Sequence, residues 1–172
     1  MSEPRSIHAL NADLFQPEEV DRSHDPIAAR KKAMDYLARR EYGRGELIAK
    51  LETAGFVADT AGPVVDRLAE EGLQSDERFA GGFVASRISQ GKGPVRIRQE
   101  LKERGLTSAE IDGALAAAEQ EWTELASAVR ARKFGDALPA DFAEKARQMR
   151  FLQYRGFEHE QVRAAIHPRG DD

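Results

Sequence analysis

The densest run of chemistry-bearing residues in this 172-residue chain lies between positions 87 and 104: Arg87-Ile-Ser-Gln-Gly91-Lys92-Gly93-Pro94-Val-Arg96-Ile-Arg98-Gln-Glu-Leu101-Lys102-Glu-Arg104. Six of its side chains are basic and two acidic. Clustered Lys and Arg do one kind of chemistry well: they hold phosphates and carboxylates. Arg98 and Lys102, four apart, share a helix face, while Ile97 and Leu101 face inward together. Gly91 and Gly93 permit close backbone approach, and the amides opening a helix after Pro94 are placed to hold an anion. The spacing is not that of a nucleotide P-loop, which needs G-x-x-x-x-G-K-[ST] after a strand. Catalytic groupings are sparse. His8, His24, His159 and His167 are scattered, pairs such as Glu70-Glu71 have no apolar surroundings to raise a pKa, and no hydroxyl sits in a nucleophile motif. Cys is absent, which excludes thiolate chemistry and disulfides. The expectation is a protein that binds, without enzymatic activity, metal or cofactor.

The elements that must position these cations come from an internal repeat. Leu51-Glu-Thr-Ala-Gly55-Phe56, Leu101-Lys-Glu-Arg-Gly105-Leu106 and Leu152-Gln-Tyr-Arg-Gly156-Phe157 recur at spacings of 50 and 51 residues. Six residues past each Gly stands Ala61, Ile111 or Val162, and ten past it Val65, Leu115 or Ile166. Each copy parses into three helices: 29–40, 45–54 and 59–71; then 75 to 87–90, 94–104 and 107 to about 122; then 124–134, a loop at 138–140, a helix to 155, and 159–166. Ser75 caps, Pro94 opens a helix, Gly105 ends one, and Thr107 with Glu110 forms a capping box. Period-two alternation is nowhere sustained, so no strand is expected. The fold class is all-α: three tandem three-helix repeats, at 27–74, 75–124 and 125–172, stacked into an elongated, curved array. Residues 1–26, with two basic and six acidic side chains, read as a disordered acidic tail. No secretory signal or membrane-spanning run is present, so the expected location is the cytoplasm.

Charge follows the repeat. Residues 30–50 hold seven basic and three acidic side chains, 87–104 six and two, and 130–155 seven and three, each a net of +4. The third helices reverse this, with one basic and five acidic at 51–75 and none and five at 105–124. If stacking lays equivalent helices side by side, one surface becomes basic and attracts polyanions or an acidic protein groove, although the whole chain is at −4. Among aromatics, Tyr36, Phe56, Phe79, Phe83, Phe151 and Phe157 read as core. Trp122 is placed to seal the junction of the second and third copies. Tyr42 and Tyr154 adjoin basic residues, so base stacking stands for them as the alternative to an ordinary structural role.

The stretch from Phe79 through Arg87-Ile-Ser-Gln-Gly-Lys-Gly-Pro-Val-Arg-Ile-Arg to Leu106 resembles the signature of the RecX family, bacterial regulators of the RecA recombinase. Residues 137–157 resemble that family's third repeat and residues 33–56 its first, so the resemblance covers 29–166 in order. Gly43 departs from the pattern, standing where a capping Ser is expected before the second helix. The resemblance implies a monomeric protein that binds the groove of the RecA–single-stranded-DNA filament and inhibits ATPase, strand exchange and coprotease activities. The contacts it implies are Arg39, Arg40 and Arg44 in the first repeat, Arg87, Lys92, Arg96, Arg98 and Lys102 in the second, and Arg147 and Arg150 in the third. Lys and Arg suit RecA and DNA equally, so the residue types leave that choice open. The other reading is a helical-repeat protein that binds DNA directly, independently of RecA.

Overall fold

The computed structural model describes residues 20–167. Among them are nine α-helices and no strand: α1 Pro26–Leu37, α2 Arg44–Thr53, α3 Ala58–Glu70, α4 Asp76–Ser89, α5 Pro94–Glu103, α6 Ser108–Ala117, α7 Trp122–Phe134, α8 Phe142–Tyr154 and α9 His159–Ile166. None is long and apolar enough to cross a membrane among the described residues. Residues 1–19 of the expected acidic tail lie outside the described residues.

The recurring Leu-x-x-x-Gly-apolar motif is a helix stop. Gly55, Gly105 and Gly156 take φ of 102°, 87° and 93°, a conformation that costs Gly nothing and other residues strain. The amides of Phe56, Leu106 and Phe157 then reach back to the carbonyls of Leu51, Leu101 and Leu152 at 3.1, 3.3 and 3.2 Å. That is the Schellman closure, in which the residue after the glycine also packs on the leucine. Leu51, Leu101 and Leu152 are fully buried, as are Ala61, Val65, Ile111, Val162 and Ile166 at the repeating offsets.

The starts of α1, α4, α6, α8 and α9 are set by side chains close by in the chain. Ser75 accepts from the Arg78 amide, Thr107 and Glu110 form the expected capping box, Asp141 accepts from Glu144, and Glu158 pairs with Gln161 in a second box. Three boundaries differ from expectation by three residues or more, one of them the end of α1, at Leu37 instead of Arg40. α1 begins at Pro26, because Asp25 accepts from the amides of Ile27 and Ala28 at 2.9 and 3.2 Å. α6 stops at Ala117: Ala118, Glu119, Gln120 and Glu121 that follow offer no large apolar side chain to bury, and Glu119 turns to φ 48° before α7 starts at Trp122.

Each repeat closes its own core. Leu47, Leu51, Val65 and Leu68 lie in the first, Phe79, Val84, Ile97, Leu101 and Ile111 in the second, and Val129, Leu152, Phe157 and Val162 in the third. Trp122 packs onto the second core although it opens the first helix of the third repeat, the sealing position expected of it.

The repeats meet at two junctions that differ in detail, but at both the start of one repeat's second helix lies at the end of the next one's: a Cβ on Gly45 of α2 would sit 3.7 Å from Arg104 O after α5, and the start of α5 bonds to the end of α8. At the first, the starts of α2 and α4 meet through side chains. Asp76 accepts from the Arg44 amide at 2.7 Å, Gln74 donates to the Tyr42 carbonyl at 3.1 Å and to Asp76 at 3.0 Å, and Arg78 pairs with Glu41 at 2.8 Å. Gly43, which cannot cap α2, is thus relieved by a carboxylate from the next repeat, and a Cβ there would press on Phe79 at 3.2 Å. At the second, the start of α5 meets the end of α8 backbone to backbone. The Gly93 amide donates to Arg155 O at 2.9 Å and the Val95 amide to Gly156 O at 3.0 Å. Asp76→Ala is expected to destabilise the first repeat by about 1 kcal/mol, the usual value of a lost cap. Faster hydrogen exchange at Arg44, with exchange in the third repeat unchanged, checks this.

Candidate functional site

Three of the predicted cations converge on one carboxylate that the sequence did not single out. Glu100, on α5, accepts from Arg87 Nε of α4 at 2.5 Å, from Lys92 Nζ of the α4–α5 loop at 3.0 Å and from Arg96 Nε one helical turn earlier at 3.1 Å. Its side chain is 16% exposed. Burial alone would push its pKa up, but the three charged hydrogen bonds outweigh that and lower it from 4.5 to about 2. The ring of Phe83 carries the guanidinium of Arg87 at 4.2 Å and that of Arg104 at 4.7 Å, and Arg104 donates to Glu100's carbonyl at 2.9 Å. Arg96 and Glu100 are one turn apart and could have been paired from spacing. Arg87 and Lys92 reach Glu100 only through the fold.

The anion site expected at the start of α5 is not available. Pro94 has no N–H, and the Gly93 and Val95 amides are bonded to the third repeat. The order of those glycines serves the junction instead.

The remaining candidates divide. On α5, Arg98 and Lys102 stand about 200° and 240° around the axis from Arg96, so they face away from the Glu100 cluster. Arg98 pairs with Asp112 of α6 at 2.5 Å. Arg40 forks onto Glu46, nearest approach 2.7 Å, and lies over the Tyr42 ring at 3.6 Å; hydrogen bonding to Glu46 raises its pKa. Arg44 pairs with Asp66 at 2.6 Å and Arg147 with Glu144 at 3.2 Å. Seven of the ten candidates are therefore already neutralised in part. Arg39, Lys102 and Arg150 are exposed and have no ion-pair partner among the described residues, and there is one in each repeat.

The two tyrosines also part company. Tyr42 is 7% exposed, with Arg40 over its ring and its carbonyl held by Gln74, so it is structural. Tyr154 is 77% exposed at the end of α8. Among the described residues no group of three potential ligands could hold a metal ion. A surface cavity of about 590 Å³ lies between Trp122 and α9.

This architecture and this charged sequence are matched by known proteins. Models of the first, second and third three-helix domains of RecX match residues 29–68, 75–115 and 119–166. The regulatory protein RecX of Pseudomonas savastanoi pv. phaseolicola is 46% identical over 147 residues, 86% of this chain and 95% of that one. That of Halorhodospira halophila is 49% identical over 145 residues, 84% and 90% of the two chains. In fold, the chain is similar to the crystal structure of RecX from Lactobacillus salivarius, with a TM-score of 0.72 at 19% identity, covering 83% of this chain and 94% of that one. Each of the three domain matches falls on one of the three-helix units and its separate core, and together they account for the chain from α1 to α9: it belongs to the RecX family.

Proposed function

We propose that this protein is a negative regulator of RecA, acting in the cytoplasm without a cofactor by binding the groove of the RecA–single-stranded-DNA filament and inhibiting ATPase, strand exchange and coprotease activities. The observation that carries the reading is that, of the ten contact residues expected from the sequence, the three without an ion-pair partner among the described residues, Arg39, Lys102 and Arg150, are exposed and fall one in each of three linked units. A filament offers the same surface at every subunit. Three tethered units that each bind weakly gain strength together, because each contact raises the local concentration for the next. Membership in the RecX family supports the same reading.

The test is RecA's single-stranded-DNA-dependent ATP hydrolysis with substoichiometric protein. Inhibition is expected, and the triple variant Arg39→Glu, Lys102→Glu, Arg150→Glu should need about tenfold more protein for the same inhibition. Its melting curve should match that of the parent, since these side chains lie on the surface. No inhibition by the parent protein, together with tight, salt-sensitive DNA binding, would replace this reading with direct DNA binding.

A further inference from the structure

Tyr154 is the last residue of α8 and its ring belongs to none of the three cores. Arg147 and Arg150 precede it at seven and four residues, so all three lie within a narrow arc of one helix face, about 10 Å long. Across the junction Arg96 adds a fourth member: its guanidinium carbon is 5.7 Å from the Tyr154 ring centre, and its Nη1 is 3.5 Å from the Tyr154 carbonyl. The Gly93–Arg155 and Val95–Gly156 backbone bonds fix the two helices at this point. A rigid seam therefore presents one open aromatic face with the Arg96 guanidinium beside it and Arg150 and Arg147 one and two turns back along the same face of α8, the last lying over the Phe134 ring at 5.1 Å. Only Arg96 and Arg147 have carboxylate partners, and both are still open to solvent, 39% and 62% exposed.

We infer that this seam binds single-stranded nucleic acid, with an unstacked base on the Tyr154 ring and the flanking phosphates on Arg147, Arg150 and Arg96. An acidic protein surface would be met chiefly by the arginines; an open ring set among them also offers the π-face on which an unstacked base stacks. A duplex, whose bases are stacked and paired, gives the ring nothing to hold. The inference deepens the regulator reading by naming what one part of the basic surface takes, and it is tested without RecA.

Fluorescein-labelled oligo-dT, an equal-length oligomer with a central abasic run, and a duplex are titrated with the full chain by anisotropy. The parent is expected to bind oligo-dT at least about fivefold more tightly than the abasic strand, the lower end of what one stacked base contributes. Tyr154→Ala should remove that difference, Tyr154→Phe should keep it, and Arg150→Glu should weaken both strands alike. Equal binding of oligo-dT and abasic strand by the parent overturns the inference. So does a Tyr154→Ala variant that binds all three probes like the parent yet loses RecA inhibition, which would place a protein surface on the ring. Absence of RecA inhibition by the parent would sink the regulator reading and leave the oligonucleotide result standing by itself. Because Tyr154 is exposed, an unchanged melting curve for the alanine variant is the control for folding.

Discussion

Gly93→Ala is expected to part the third repeat from the second and to destabilise the chain by about 3 kcal/mol. An added Cβ would lie 2.3 Å from Gly156 O, 2.4 Å from its carbonyl carbon and 2.5 Å from the Phe157 nitrogen. All three are backbone atoms inside a helix stop, so no side-chain rotation relieves the clash. Moving the strand of atoms away breaks the Gly93–Arg155 and Val95–Gly156 hydrogen bonds together. Gly156→Ala attacks the same contact from the other side, since its Cβ would lie 2.3 Å from Arg96 Cβ, and adds the strain of φ 93°. Gly105→Ala supplies the control. It has the same helix-stop role and φ 87° but meets nothing within 4 Å, so it should cost only about 1 kcal/mol for the backbone. Thermal melts rank the three variants, and hydrogen exchange locates the damage. The Val95 amide should lose protection in Gly93→Ala while Leu101 and Val162, in separate cores, keep theirs. A Gly93→Ala chain that melts like the parent with Val95 still protected would show that the junction is not close-packed.

The same comparison explains what could be read from the sequence. Gly105 acts within six residues of itself, and its spacing to Leu101 and Leu106 announces a helix stop wherever it occurs. Ser75, Pro94 and the Thr107–Glu110 pair are equally local, and all three begin helices where expected. Gly93 was legible as a break between helices, but its reason lies 63 residues away, in the carbonyl of Gly156. Asp76 capping α2 across 32 residues is of the same kind. The junctions depend on which backbones approach, and residue types carry no record of that. For the candidate surface the limit is neutralisation. Arg87, Lys92 and Arg98 announce positive charge, but whether a carboxylate consumes it depends on Glu100 and Asp112 arriving from other turns and helices. Tyr42 and Tyr154 look alike beside their arginines, and only the packing of the first core separates the buried ring from the open one.

Glu100→Gln is expected to lower stability and raise affinity for polyanions at the same time. The carboxylate holds Arg87, Lys92 and Arg96 within 3.1 Å, and three cations against one anion leave the cluster at +2. Removing the anion makes it +3 and leaves the cations facing one another. Its pKa falls from 4.5 to about 2 on folding, a difference of about 3 kcal/mol at full strength. Solvent at the open side of the cluster screens part of this, so a loss of about 2 kcal/mol is expected at pH 7. The sign follows from the depressed pKa. The stabilisation is complete above pH 4.5, declines as pH falls from 4.5 to about 2, and is lost below that. The gap in melting temperature between parent and Glu100→Gln should therefore narrow through that window and close near its lower end, even though other carboxylates destabilise both chains there. A gap that stays constant to pH 2 would mean that Glu100 acts through shape rather than charge. On the binding side, the released cations can meet phosphates, so the salt dependence of single-strand binding should steepen by about one unit in the logarithmic slope. Loss of a merely structural residue would weaken binding and stability together. Opposite movement of the two is what distinguishes an internal counterion, one that keeps Arg87, Lys92 and Arg96 in place while withholding part of their charge from the partner.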